Sequence, residues 1–223
     1  MKISGKSWKL YMLAALVILG LILAVWRPFD IDALISSGEA LGDHLFFRLG
    51  VILLMVILFT FGLPGSLGVW LLAPFNPPLV AALLLVAGST GGALGAYGLS
   101  ARLGSDWEPQ GLSRKIYKLL QRRGDFLTQC ALRTFPGFPH SVINYACGVL
   151  RVSLPTYLAA TCIGHFIKWG IYASALHGVT DAVTDGSPLG FRDLWPLFAL
   201  TALLLGGAGL KWYVSKSLKD DDT

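Results

Sequence analysis

The sequence predicts an all-α polytopic membrane protein, with four full transmembrane helices and two facing re-entrant helical hairpins in an inverted repeat. Three observations predict it. First, 54% of the 223 residues are hydrophobic and only 14% are charged, against about 25% charged in a soluble domain. Second, long uncharged apolar runs recur along the chain, and the segments between them are sorted by sign of charge. Third, two of those runs are interrupted by proline and glycine. The length fits one membrane unit.

The runs are Leu10–Trp26, Leu49–Ala73, Leu79–Ala101, Phe126–Leu150, Leu154–Leu176 and Trp195–Leu210. The first follows Lys2, Lys6 and Lys9 as a signal peptide would, but bulky AVWRPFD stands where a small-residue cleavage site is needed. It reads as a retained helix anchored by Trp26 and Arg27. The basic segments are the amino terminus, residues 102–125 and the tail with Lys211, Lys216 and Lys219. Residues 27–48 and 178–194 are predominantly acidic. The positive-inside rule puts the basic segments, and both termini, in the cytoplasm. Six crossings would strand residues 102–125 outside. If runs two and four turn back on the side they entered, every basic segment falls inside and every acidic one outside.

Both runs contain a reason to turn back. Run two carries FGLPGSLG at 61–68, after a helix-compatible stretch of roughly 22 Å, short of a hydrocarbon core of about 30 Å. Pro64 lacks a backbone donor and Gly65 tolerates unusual dihedrals, which places the break there. Run four repeats the device with TFPGFPHS at 134–141. Broken backbone at membrane depth survives only in protein or against a wet cavity, so the two hairpins are expected to face each other. Each is followed by a proline-containing connector and a full span, a weak inverted repeat of the kind that builds a central transport site. Three regions follow: residues 1–48, a helix with an outer linker; 49–178, the core with both hairpins; and 179–223, a final helix and cytoplasmic tail.

Gly88, Gly91, Gly92, Gly95 and Gly98 form a small-residue face suited to close packing, inside the chain or between copies as a homo-oligomer. Residues 112–123, with Leu112, Ile116, Leu119 and Leu120 opposite basic residues, read as an amphipathic helix on the anionic leaflet. Membrane lipids are therefore the expected partner, and no motif supports nucleic acid. Cys130, Cys147 and Cys162 lack metal-ligand or disulfide spacing, so neither metal nor cofactor is expected.

The residues that cost most in a bilayer mark the candidate site. Arg133 either snorkels to the cytoplasmic surface or greets an anionic group at the mouth of the second hairpin. Beyond Pro136 and Gly137 a short helix is expected to begin near Pro139, with its free amides, His140 and Ser141 forming an anion site. Pro64, Gly65 and Ser66 offer a second helix start from the opposite side. Asn144 and Tyr145 either bridge polar backbone across the cavity or hold the hairpin together. His165, Lys168 and Tyr172 share a helix face that either snorkels outward or handles protons or head groups.

At RTFPGFPHSVINYACGVLRVSLPTYL the chain resembles the DedA superfamily, in particular its Tvp-type branch, the VTT or SNARE-associated Golgi protein domain. Arg133, Pro136, Pro139, Asn144, Tyr145 and Gly148 carry the resemblance, with LPGSLGVWLLAPF and the glycine-rich stretch ending at Arg102 to Gly104 as the other half. The resemblance covers about residues 50–178. It implies facing re-entrant hairpins and movement of lipids across bilayers. The better-studied DedA branch has acidic residues around its first hairpin, which are thought to use the proton gradient. FTFGLPGSLGVWLL has none, which sets this chain apart.

The expected function is accordingly transport of anionic lipids, phospholipid or polyprenyl phosphate. Transport of a small anion or other solute, and a membrane scaffold, are the alternatives. An intramembrane hydrolase would need Ser66, Ser89 or Ser141 paired with His140 or His165, but no nucleophile elbow or metalloprotease motif is present, so no enzyme is expected. Short termini without retrieval signals fit a bacterial inner membrane.

Overall fold

A computed structural model describes residue 42 and residues 44–103, 109–185 and 191–217. The expected first helix Leu10–Trp26, the linker acids, Gly104 and the tail beyond residue 217 lie outside them. Among the described residues the chain is helical throughout, with no strand. Its elements are α1 (Leu45–Thr60), a 3₁₀ turn (Gly65–Leu67) leading into α2 (Gly68–Leu72), α3 (Pro78–Leu103), α4 (Leu112–Arg122), α5 (Phe126–Thr134), α6 (His140–Val149), α7 (Leu154–Asp185) and α8 (Phe191–Ser217).

The order helix, break, short helix and long helix occurs twice, first as α1 to α3 and again as α5 to α7. Both breaks fall inside the predicted runs. The first is closed by a Schellman motif: Leu63 N–H donates to Leu58 C=O at 2.8 Å and Gly62 N–H to Phe59 C=O at 3.3 Å. The positive φ this requires is at Gly62 (74°). Gly65, expected to supply the unusual dihedral, does not; it is buried where a side chain would strike the Phe59 ring. The second break turns at Gly137, φ 99°. Asp125 starts α5, accepting from Thr128 N–H at 3.0 Å and Thr128 Oγ1 at 3.1 Å. Those bonds, led by the backbone amide, hold its carboxyl below the usual range.

At 1.5 Å per residue α1 is about 24 Å long and α5 about 14 Å, too short for a hydrocarbon core of about 30 Å. Two described helices, Pro78–Arg102 and Leu194–Val214, are long and apolar enough to cross a membrane. α7 is long enough, at about 48 Å, but His165 and Lys168 dilute its apolar character.

α3 packs against α1, α6 and α7, and α7 against α5 and α8. Two apolar clusters result. Met55, Phe59, Val69, Leu72, Leu85 and Trp169 fill the one around the first hairpin. Ile116, Leu120, Leu132, Ile143, Cys147 and Tyr157 fill the one around the second. Four of the five glycines on α3, Gly88, Gly91, Gly92 and Gly95, lie against Met55, Val56, Phe59 and Thr60, so that part of the face is used inside the chain; Gly98 is open. The amphipathic α4 also differs from expectation. Ile116 and Leu120 are buried against α6 and its neighbours rather than laid on lipid, because Leu132, Ile143 and Cys147 present them with an apolar surface. Outward-facing Leu53, Ile57, Trp70, Leu83, Phe166, Phe198, Leu205 and Trp212 are exposed, the surface a bilayer would cover.

Candidate functional site

The two chain breaks meet. Gly62 of the first sits against Ser141 and Tyr145 of the second, and Tyr145 Oη donates to Thr60 C=O at the end of α1, 3.3 Å away. A cavity of ≈ 310 Å³ opens between them, walled by Gly62, Pro64 and Ser66 on one side and by Pro136, Gly137, Pro139, His140 and Ser141 on the other, with Lys168 reaching in from α7. α6 begins at this wall with Pro139 as its N-cap, so the helix starts one residue later than expected, at His140; no side chain caps it. Its first amides and the two serine hydroxyls give the cavity donors of positive character.

Lys168 is 7% exposed. Its Nζ lies 2.8 Å from His140 Nε2 and 4.4 Å from the Trp169 ring centroid. It therefore belongs to the cavity instead of snorkelling outward. An ammonium has no acceptor, so Lys168 donates and His140 Nε2 accepts. The two remaining ammonium hydrogens are available. Tyr172 is half-buried beside Trp169, 5.9 Å from the lysine nitrogen.

Arg133 takes neither expected place. It is fully buried at 0% exposure and does not line the cavity. Gly164 of α7 allows this: a Cβ there would come within 2.8 Å of the Arg133 Cβ. The guanidinium stacks over Tyr157 at 4.7 Å, and Nη1 makes a long bond of 3.4 Å to Gln129 C=O. Its Nε and Nη2 have no acceptor. Among the described side chains the only carboxylate is that of Asp125, at the start of α5 and spent on Thr128. Tyr157 Oη shares its single proton between Ala93 C=O at 2.7 Å and Asn144 Oδ1 at 3.0 Å, and Asn144 Nδ2 is likewise unpartnered.

Sequence reasoning set His140 on the second hairpin and His165 with Lys168 on a separate face; folding joins them. The His140 and His165 rings meet edge to face at 5.1 Å. Ser89 Oγ lies 2.9 Å from His165 Nδ1, the serine–histidine pair a hydrolase would use. Ser89 is fully buried, however, and its hydroxyl donates to Leu85 C=O at 2.7 Å, so its proton is already placed. The bonding is structural: Trp169 Nε1 also donates to Ser89, at 3.1 Å. No group of three or more metal-ligating side chains occurs among the described residues.

Comparison with known proteins places this geometry. The family model for the VTT domain matches residues 49–178, more than half of the chain and the stretch that holds both breaks. The chain belongs to the VTT domain family, within the DedA superfamily. A relative from Caenorhabditis elegans, Transmembrane protein 41 homolog, is 34% identical over 121 residues, covering 52% of this chain and 49% of the relative. The chain thus spans about half the length of that curated relative. No solved structure matches. The VTT domain runs from within α1 into α7, so the cavity, Lys168 and Arg133 all fall inside it, and α8 lies beyond it.

Proposed function

We propose that this VTT-domain membrane protein moves anionic lipids, phospholipid or polyprenyl phosphate, across the bilayer. The head group passes through the cavity while the acyl or prenyl chains stay in lipid. Both hairpins are re-entrant: α1 enters from outside and α5 from the cytoplasm, while α3, α7 and α8 cross fully. Both termini lie in the cytoplasm, and the membrane is a bacterial inner membrane. Copies that associate through α3 do so at Gly98, the glycine left open.

The observation that carries this reading is the cavity where the breaks meet, with Lys168, Ser66, Ser141 and the start of α6 as donors. Such a site supplies positive character without a fixed counter-ion, so an anion is attracted and can still leave. The short α1 and α5 support re-entry. A second reading, transport of a small anion, is favoured by the cavity's ≈ 310 Å³, which suits a head group or a free ion alone.

Purified protein in liposomes carrying labelled phosphatidylglycerol or labelled polyprenyl phosphate tests this. Wild type moves at least one of the two, and Lys168→Gln slows it roughly tenfold or more, the factor that about 1.4 kcal/mol represents. Circular dichroism confirms that both proteins are folded. Folded wild type that moves neither lipid rejects the lipid reading in favour of the small anion.

A further inference from the structure

Side chains of α6 and α7 reach each other along a polar seam. His140 and Asn144 lie one turn apart on α6, about 6 Å along its axis. Tyr157, Thr161, His165 and Lys168 occupy the facing side of α7 at helical spacing. The seam is pinned at two points, His140 to Lys168 at the cavity end and Asn144 to Tyr157 further in. Arg133 lies along it from α5, stacked on Tyr157.

Beyond the first pin the seam holds polar atoms with nothing to bond. Arg133 Nε and Nη2 and Asn144 Nδ2 are donors without acceptors. His165 Nε2 is also unpartnered, and its chemistry follows from its neighbours. Ser89 gives its single proton to Leu85 C=O, so His165 Nδ1 must donate to Ser89. In the neutral ring Nε2 is then a bare acceptor. Four side-chain atoms, all on residues at most 2% exposed, thus ask for a ligand with several acceptor oxygens and one O–H. Leaving such groups unmatched costs about 1–3 kcal/mol each, more for the charged one.

We infer that Arg133, Asn144 and His165 form a second oxyanion station, closed in this conformation, one helical turn beyond the cavity, with the His140–Lys168 pair as the partition between the two. The inference rests on the proposed anion route for its direction of travel and adds a ligand class. A singly protonated phosphate monoester offers both the acceptor oxygens and the O–H that His165 Nε2 takes. A phosphodiester has no O–H and leaves that nitrogen unmatched. An anion arriving at Lys168 takes over the ammonium's hydrogen bonds, frees His140 to turn, and exposes Arg133.

Cys147 reports on the closed station, since it is buried on α6, 3.5 Å from the Oε1 of Gln129, the residue whose carbonyl the Arg133 guanidinium bonds. With Cys130→Ser and Cys162→Ser in place, the full chain is treated with sulfonatoethyl or trimethylammonioethyl methanethiosulfonate. Both label Cys147 slowly in this parent. His140→Ala, and independently Lys168→Met, speed the sulfonate reagent by about tenfold or more, the gain expected from charge focusing, and speed the cationic reagent far less. Adding Arg133→Gln removes that preference. Dihexanoyl phosphatidic acid protects Cys147 better than dihexanoyl phosphatidylglycerol does. Inorganic phosphate protecting equally well assigns the station to free phosphate, and protection by phosphatidic acid alone assigns it to a lipid head group.

Unchanged labelling in both opened and folded variants overturns the inference, as does an equal gain for the two reagents. Better protection by the diester overturns the ligand class. Failure of lipid movement in liposomes with Arg133-dependent labelling intact sinks the lipid reading and leaves the station. Intact lipid movement with charge-blind labelling does the reverse.

Discussion

Arg133 is held in the protein against its own stability. A buried guanidinium that meets no carboxylate among the described side chains lacks the pairing that offsets desolvation, and replacing such a charge by a well-packed apolar group typically gains about 1–4 kcal/mol. Arg133→Met should therefore raise the unfolding midpoint in detergent while abolishing transport; a lowered midpoint would show that the arginine is structural. Arg151 offers a cleaner case. It ends α6 in a Schellman motif with φ 49°, its N–H bonding Gly148 C=O and Val152 N–H bonding Cys147 C=O, both at 3.0 Å. A side chain in that region costs about 1–2 kcal/mol, and glycine's extra folding entropy takes back about 0.5–1 kcal/mol, so Arg151→Gly should stabilise by up to about 1 kcal/mol in a denaturant titration. Asp125 adds a pH signature. Its carboxyl is held low by the Thr128 amide, so the cap's contribution, about 1 kcal/mol, is complete above the unfolded value near 3.9. It is lost as pH falls through the lower folded value. The stability gap between wild type and Asp125→Ala should stay constant from pH 8 to about pH 5 and close below about pH 4. A gap that opened in acid would contradict this sign.

At the scale of elements, the two breaks were legible and their mechanics were not. TFPGFPHS and FGLPGSLG announce interruptions because proline removes a donor and bars the preceding residue from helix. Which glycine takes the positive φ depends on where the last helical turn closes, and that is decided by Leu58 and Phe59 carbonyls finding partners at Leu63 and Gly62. Gly137 tests the turn alone, since a Cβ there would meet only the Lys211 side chain, at 3.8 Å. Gly137→Ala should cost about 1–3 kcal/mol from backbone strain with packing untouched; an unchanged melting temperature would mean that the turn can relax. α4 shows how an element can be read correctly and placed wrongly. Its apolar stripe was plain, but a stripe of Leu112, Ile116 and Leu120 fits lipid and protein equally well. The surface it packs on is assembled from residues of α5, α6 and α7 that are distant in sequence, such as Leu132, Ile143 and Tyr157.

The described part of the molecule centres on the meeting of the two breaks, and the proposed topology makes a prediction at that scale. Cysteines placed at exposed Phe46 and Leu127, at the starts of α1 and α5, should react with an impermeant maleimide from opposite sides of the membrane, Phe46→Cys from outside and Leu127→Cys from inside. Labelling from the same side would refute the inverted arrangement. Most of the cavity wall was named from sequence, because helix breakers and polar residues in an oily run have few tolerable places to go: Pro64, Ser66, Pro136, Gly137, Pro139, His140 and Ser141 all line it. Arg133 was singled out for the same reason and then misplaced, since depth along a short helix does not say which side chain points at a neighbour. The pairing of His140 with Lys168, 28 positions apart, and of His165 with Ser89, 76 apart, left no mark on local pattern. Composition, charge segregation and broken runs determined by themselves that this chain is a helical membrane protein with interrupted helices, because solvation costs act on every residue wherever it ends up. Which polar groups become partners, and which are left buried without one, was decided only by tertiary packing, because that depends on how α5 settles on α7 and α6 on α3.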